Sequence, residues 1–360
     1  MKISVLIICV WAALISTGCG NKKTKLLLSE KWQPFAQTDR TKEREFVGPI
    51  LVAAFDGKFE ELDKLADELY RKKTLHRDGS WAINDFFSAF TEYDSYNQAD
   101  PEKWQPVLEQ RLQSWVSEHP ESASARIAMS GFYGDYAWAV INRNEENTLS
   151  EEQMLDFGNR LRQSFYALQG TNQLPSAWTL LTALARPAGV QKKDVLELFP
   201  LMQEADPSFW HLYTEVVSQY LVPWRQGANH KEWNEWLVSV LNHENLSSVQ
   251  SDSIYARIVL NLMHYDYRRK RLPNPYEAAG VDWERLQRGT RKLLSDFPKS
   301  TRIPTYYLSA SVLKGDEVGI QEALLALKYS YDPGLWSGKG DSEFFELLES
   351  LKLNYPSIWK

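Results

Sequence analysis

The chain has 360 residues, 43% of them hydrophobic and 24% charged, which excludes a disordered or fibrous polymer and leaves room for a sizeable core. A formal net charge of -6 gives no global positive field to gather nucleic acid, so DNA and RNA are not expected partners. Both cysteines, Cys9 and Cys19, lie at the very start, so neither a disulfide scaffold nor a thiolate metal cluster can brace the remainder.

Met1-Lys2 is a short positive start, and residues 3–15 are apolar except for Ser4. That run is shorter than the ~20 residues a membrane-spanning helix needs and suits the hydrophobic region of an export signal. Ser16-Thr17-Gly18-Cys19 follows and resembles the lipobox of bacterial lipoproteins, although Ser16 stands where leucine is usual. The resemblance implies cleavage before Cys19 and a diacylglyceryl group on its thiol. An ordinary signal peptide that happens to contain a cysteine is the simpler alternative, and the Gly-Cys pair at this distance favours lipidation. Gly20, rather than aspartate, after the cysteine implies by the same resemblance an outer-membrane anchor with the body in the periplasm. The expected organisation is a signal peptide over 1–18, a lipidated N-terminus and tether over 19–42, and a helical repeat-like domain over 43–360, read as one continuous array.

From Phe46 onward the apolar residues recur at helical spacing. Phe59, Leu62, Leu65, Ala66 and Leu69 share one face, while Glu60, Glu61, Asp63, Lys64, Asp67 and Glu68 fill the other. Similar patterns predict helices near 79–94, 102–118, 122–142, 150–169, 175–186, 191–204 and 207–222. Others fall at 230–243, 249–269, 282–296, 302–314, 316–330 and 341–353, and no strand finds an evident partner. Ser150-Glu151-Glu152-Gln153 resembles a capping box, Leu174-Pro175 and Asp206-Pro207 place proline where a first turn tolerates it, and Lys314-Gly315-Asp316 ends one helix and opens the next. Short connections predict antiparallel neighbours.

An internal echo joins the stretch from Trp115 through His119-Pro120-Glu121-Ser122 to that from Leu293 through Phe297-Pro298-Lys299-Ser300. A second joins Ala125-Arg126-Ile127 to Ala256-Arg257-Ile258. Helix, proline-serine turn and small-residue helix ending in Gly-Asp resemble a degenerate tetratricopeptide pattern. The fold expected is therefore an all-α, TPR-like α-solenoid of antiparallel helix pairs, with an α/α toroid as the alternative. Gly79-Ser80-Trp81, the Trp115 to Trp138 stretch and Tyr255-Ala256-Arg257-Ile258 also resemble a bacterial family of helical proteins known as a domain of unknown function. That resemblance implies a fold and no activity.

No His-Glu-x-x-His, Gly-x-Ser-x-Gly, phosphate loop or dinucleotide fingerprint occurs, so an enzyme is disfavoured and no cofactor is expected. The six histidines, at 76, 119, 211, 230, 243 and 264, show no pair at ligand spacing, so no metal is expected. Asp135, Glu215 and Glu232 are the carboxylates that could flank a glycosidic bond, though acids on helices are usually a solvated face. Arg268 to Arg271 form a basic run best read as a helix end. Fourteen tryptophans are the most unusual feature, and most suit helix-pair packing. Trp210, His211 and Trp224, with Trp138, are the first candidates for a binding face. Arg126 and Arg257, among apolar neighbours, join them, with pairing to a carboxylate inside the helical stack as the simpler role. The function expected is a membrane-anchored, non-enzymatic module for a protein or peptide partner in the cell envelope. A glycan-binding or polysaccharide-acting α/α toroid is the rival.

Overall fold

The computed structural model describes residues 32–91, 101–142, 150–171, 173–218, 230–268, 275–336 and 341–356. Within them the protein is all-α: sixteen helices and a single pair of two-residue strands. In chain order these are β1 (Gln33–Pro34), α1 (Asp39–Phe55), α2 (Phe59–Lys72), α3 (Ala82–Ser88), α4 (Pro101–Glu118), α5 (Ala123–Asn142) and α6 (Glu151–Ala167). Then come α7 (Pro175–Ala185), α8 (Lys192–Ala205), α9 (Trp210–Val216), α10 (His230–Val240), α11 (Ser248–Arg268) and α12 (Pro275–Ala278). The chain closes with α13 (Trp283–Asp296), α14 (Arg302–Lys314), α15 (Glu317–Leu327), β2 (Ser330–Tyr331) and α16 (Asp341–Asn354). The chain divides into two compact units. One comprises Arg40–Ile254, and the other joins the described residues up to Asp39 to those from Tyr255 onward.

The predicted helix starts and stops are largely realised. Ser150 caps α6 with a full capping box, Pro175 opens α7, and Gly315 ends α14 in the left-handed conformation that glycine tolerates. Several helices are shorter than the periodicity predicts: α10 stops at Val240, and α15 at Leu327 with Ser330 already in β2. Residues 79–81 form a turn before α3, and Pro207 lies in a turn before α9 rather than in its first turn.

In the Arg40–Ile254 unit, α5 is the central helix, packed against α2, α3, α4, α6 and α7. Its packed faces are lined by Ser124, Ala125, Ala128, Ser130, Gly131, Gly134 and Ala137, all buried small residues, while Asp135 is exposed. A Cβ on Gly131 would stand 2.9 Å from Thr91 Cγ2, and one on Gly134 2.7 Å from Leu184 Cδ2. The absent side chains let neighbouring helices approach closely. The Ser164 hydroxyl of α6 donates to the Ser130 carbonyl at 2.6 Å, so even the polar groups of this seam are satisfied.

In the other unit α14 plays the same part, packing against α12, α13 and α15, with Ile303, Pro304, Thr305, Tyr307, Leu308, Ser309, Ala310 and Ser311 buried. Its core also contains Trp32, Tyr331, Trp336, Phe344 and Leu348. The sequence reads residues 32–42 as part of the tether, and here the structure differs. β1 pairs in parallel with β2, Gln33 opposite Ser330 and Pro34 opposite Tyr331, and the Trp32 ring stands edge-on to Phe344 at 5.2 Å. A two-residue strand whose partner lies so far along the chain leaves no periodic signal to read.

The echoed turns adopt one geometry. His119 N–H donates to the Trp115 carbonyl and Phe297 N–H to the Leu293 carbonyl, both at 2.9 Å, and Ser122 and Ser300 N–H donate to the His119 and Phe297 carbonyls at 2.9 and 3.0 Å. Each serine hydroxyl then accepts from the third residue onward, Ala125 N–H at 2.9 Å and Ile303 N–H at 3.1 Å, capping the helix that follows. Each hydroxyl also donates to an aspartate from much earlier in the chain, Ser122 to Asp63 and Ser300 to Asp39. Thus the same turn delivers the central helix of each unit.

Candidate functional site: paired Asp-x-Ser turns in the Arg40–Ile254 unit

The α2 helix ends at Lys73, whose backbone is left-handed (φ 47°), and the chain then folds through Asp78-Gly79-Ser80 into α3. Asp78 Oδ1 accepts from Ser80 N at 2.9 Å and from Ser80 Oγ at 2.6 Å. Between α8 and α9 the same device recurs: Asp206 Oδ1 accepts from Ser208 N at 2.9 Å and Ser208 Oγ at 2.6 Å. Aspartate bonding the backbone two residues on mimics a tight turn, and each turn is followed by an aromatic residue. Those two aromatics meet, the Trp81 ring standing edge-on to Phe209 at 5.1 Å.

Lys73 joins the two turns electrostatically. Its Nζ lies 2.6 Å from Asp206 Oδ2 and 5.7 Å from the Trp81 ring centroid. Phe209 leads on to His211 at 5.2 Å, and His211 lies stacked on half-buried Trp210 at 3.8 Å. Tyr213 fastens this edge from beneath, donating to the Pro207 carbonyl at 2.7 Å while accepting from Gln203 Nε2 at 2.7 Å. Burial raises its phenol well above the ordinary tyrosine value.

His76 supplies the titratable centre of the first turn. Its Nε2 lies 2.9 Å from Asp85 Oδ2, its ring stands edge-on to Phe46 at 5.0 Å, and its backbone N–H donates to the Ser80 carbonyl at 2.8 Å. Burial by itself would depress its imidazolium, but the bond and charge of Asp85, aided by Asp78 and Glu43, outweigh it and hold the histidine above its ordinary value. Trp81, Phe209 and Asp78 are buried within this ensemble, which leaves Trp210 and His211 half-exposed and Lys73 exposed. Ser80 and Ser208 both spend their hydroxyl protons on their own turn's aspartate, an arrangement of turns rather than of activated nucleophiles.

Of the residues singled out by sequence, Trp210 and His211 are brought together here. Trp224 and the side chain of Trp138 lie outside the described residues. Arg126 is a tie: its Nη1 donates to the Gln169 carbonyl at 3.0 Å and its Nη2 to the Pro120 carbonyl. Expected against a carboxylate, it holds two backbone carbonyls, one of them in the echoed proline turn. Arg257 is buried in the other unit, its guanidinium 5.4 Å from the Phe297 ring of the second proline turn. Glu232 is paired with Lys192 and Asp135 is exposed. The run after Arg268 lies outside the described residues. Sequence reasoning does not single out Lys73 or Asp85, weighs His76 only as a metal ligand, and assigns Asp63 to solvent. Asp63 instead accepts from Trp115 Nε1 at 3.2 Å, lies 2.6 Å from His119 Nδ1 and takes the Ser122 hydroxyl. Only the repeated Asp-x-Ser spacing could have flagged the site in advance.

Among the described residues no group of three or more histidine, cysteine, aspartate or glutamate side chains is arranged to hold a metal ion, and no helix is long and apolar enough to cross a membrane. Among the described residues the protein is all-α, with the stacked Trp210–His211 pair and the Lys73–Asp206 ion pair beside two Asp-x-Ser turns. No family model, curated protein or solved structure matches the chain.

Proposed function

We propose that this chain is a lipid-anchored, non-enzymatic interaction module, built from TPR-like helix pairs, that binds a protein or peptide partner in the cell envelope. The supporting observation is the half-exposed, stacked Trp210–His211 pair seated on the buried Trp81–Phe209 contact, with the exposed Lys73 ammonium paired to Asp206. Aromatic rings supply large contact area at low entropic cost, and a flanking lysine-aspartate pair can exchange partners with an incoming peptide's own charges. Cys19 is the acylation site in this reading, and the outer membrane, facing the periplasm, is the location. A glycan is the second ligand class, because the stacked Trp210 and His211 rings offer a flat face of the kind sugars pack on. A polysaccharide-acting toroid would need in addition a carboxylate pair whose loss abolishes activity without unfolding the chain.

The test is in-cell crosslinking of the tagged mature protein followed by mass spectrometry, with Trp210→Ala and Lys73→Glu as comparators. One dominant protein partner, lost in both variants, supports the module. Envelope glycan recovered in its place, or a partner retained equally by both variants, rejects it.

A further inference from the structure

The unit containing α14 carries an apolar and cationic edge where the chain enters the fold. Trp32, the first described residue, is buried edge-on against Tyr329 at 5.5 Å, and Gln33 N–H donates to the Tyr329 carbonyl at 3.0 Å. Tyr329 follows Lys328, and both have left-handed backbone, with φ of 61° and 51°, a conformation costly for side chains of this size. The strand pairing fixes that geometry, since Phe35 N–H also donates to the Tyr331 carbonyl at 2.8 Å. The result is outward display. Tyr329 is 50% exposed, Leu325 in the last turn of α15 is 69% exposed, and Val318, two turns earlier on the same face, is 54% exposed. Glu322 on this helix is held by Arg291 at 2.9 Å.

Covalent distance limits how far this edge can stand from an acylated Cys19. Residues 20–31 separate Cys19 from Trp32 and, even fully extended, span no more than about 45 Å. Lys22, Lys23 and Lys25 lie among them. If Cys19 is acylated, the reading on which this inference rests, the Trp32 entry point stays within that reach of the bilayer. Tyrosine and lysine are the side chains that settle at a headgroup layer, the ring at its polar boundary and the ammonium in the water beyond.

We propose that Val318, Leu325, Lys328 and Tyr329 dock on the lipid headgroups of the membrane that holds Cys19, giving the protein a second, non-covalent attachment beside its anchor. The diacylglyceryl group already supplies two acyl chains and stable attachment, so what the edge adds is a fixed orientation of the body at the bilayer.

The test separates this from acylation itself. A chain from residue 19 onward retains every described residue; carrying Cys19→Ser and an N-terminal histidine tag, it is held at that position by a nickel-chelating lipid, whatever the cell does to Cys19. An environment-sensitive fluorophore is attached through Leu325→Cys, an exposed position that leaves the core intact. On vesicles of phosphatidylethanolamine and phosphatidylglycerol, the expected result is a blue shift and loss of emission when the acyl chains are brominated, both diminished by Tyr329→Ser with Lys328→Glu. Emission identical in the free and tethered protein overturns the proposal. So does emission that changes only when envelope proteins are present, which assigns the edge to a protein. Failure of acylation is read independently, as a native mature N-terminus whose mass lacks acyl chains.

Discussion

His76 shows how one buried side chain carries both stability and pH dependence. Its folded value is raised, so its contribution is complete below the unfolded value, near 6.5, and is lost as pH rises through the higher folded value. Stability of the Arg40–Ile254 unit should therefore decline as pH climbs from 6 through the range above 6.5, and His76→Gln should flatten that part of the curve in thermal unfolding. His76→Ala should cost about 3 kcal/mol, because Asp85 is left buried without its partner. Asp39 is the counterpart in the other unit. Its Oδ2 takes the Ser300 hydroxyl at 2.9 Å and the N–H groups of Thr301 and Arg302 at 2.9 and 2.8 Å. Asp39→Ala strands donors at the start of α14 and should cost about 2–4 kcal/mol in urea unfolding. A loss under 1 kcal/mol would mean that water replaces the carboxylate. Asp332, which accepts from the Thr301 hydroxyl at 3.1 Å, has its carboxyl raised, chiefly by burial, so its charged form opposes folding and Asp332→Asn should be milder than Asp39→Ala.

At the scale of elements, the two proline turns make a paired prediction. Ser122→Ala and Ser300→Ala each remove a helix cap and a donor to a buried or half-buried aspartate, so each should cost about 1–2 kcal/mol. Ser117, in the same echoed stretch, only back-bonds to the Ser114 carbonyl on an exposed surface, and Ser117→Ala should stay within about 0.5 kcal/mol. Equal effects of Ser117→Ala and Ser122→Ala would show that the echo is compositional rather than structural. The glycines of α5 make a second test. Gly131→Val forces a branched side chain against Thr91 and should cost at least about 2 kcal/mol, whereas Gly158, with nothing near its missing Cβ, should accept alanine and gain slightly. Gly131, unlike Gly158 of α6, shows why α5 lacks a clear amphipathic stripe: a helix packed by several neighbours needs small residues on more than one face.

For the whole molecule, the proposed anchoring is tested at Cys19. Cys19→Ser should move the protein from the membrane to the soluble fraction or leave an uncleaved precursor, as read by fractionation and by the mass of its N-terminus. What the sequence by itself determined is local in origin: helical periodicity, the Ser150 capping box, the Pro175 start, the Gly315 stop, and the two echoed turns, each set by residues within a few positions of one another. Trp210 and His211 were legible because they are adjacent and aromatic, but their neighbours were not. Only the tertiary structure brought Lys73 to Asp206 and Trp81 to Phe209, turned Asp63 from a solvent-facing acid into a three-donor hub, and drew Trp32 and Asp39 from a tether into a core. Such contacts join residues far apart in the chain, and their free energy depends on burial and charge placement that no window of sequence contains.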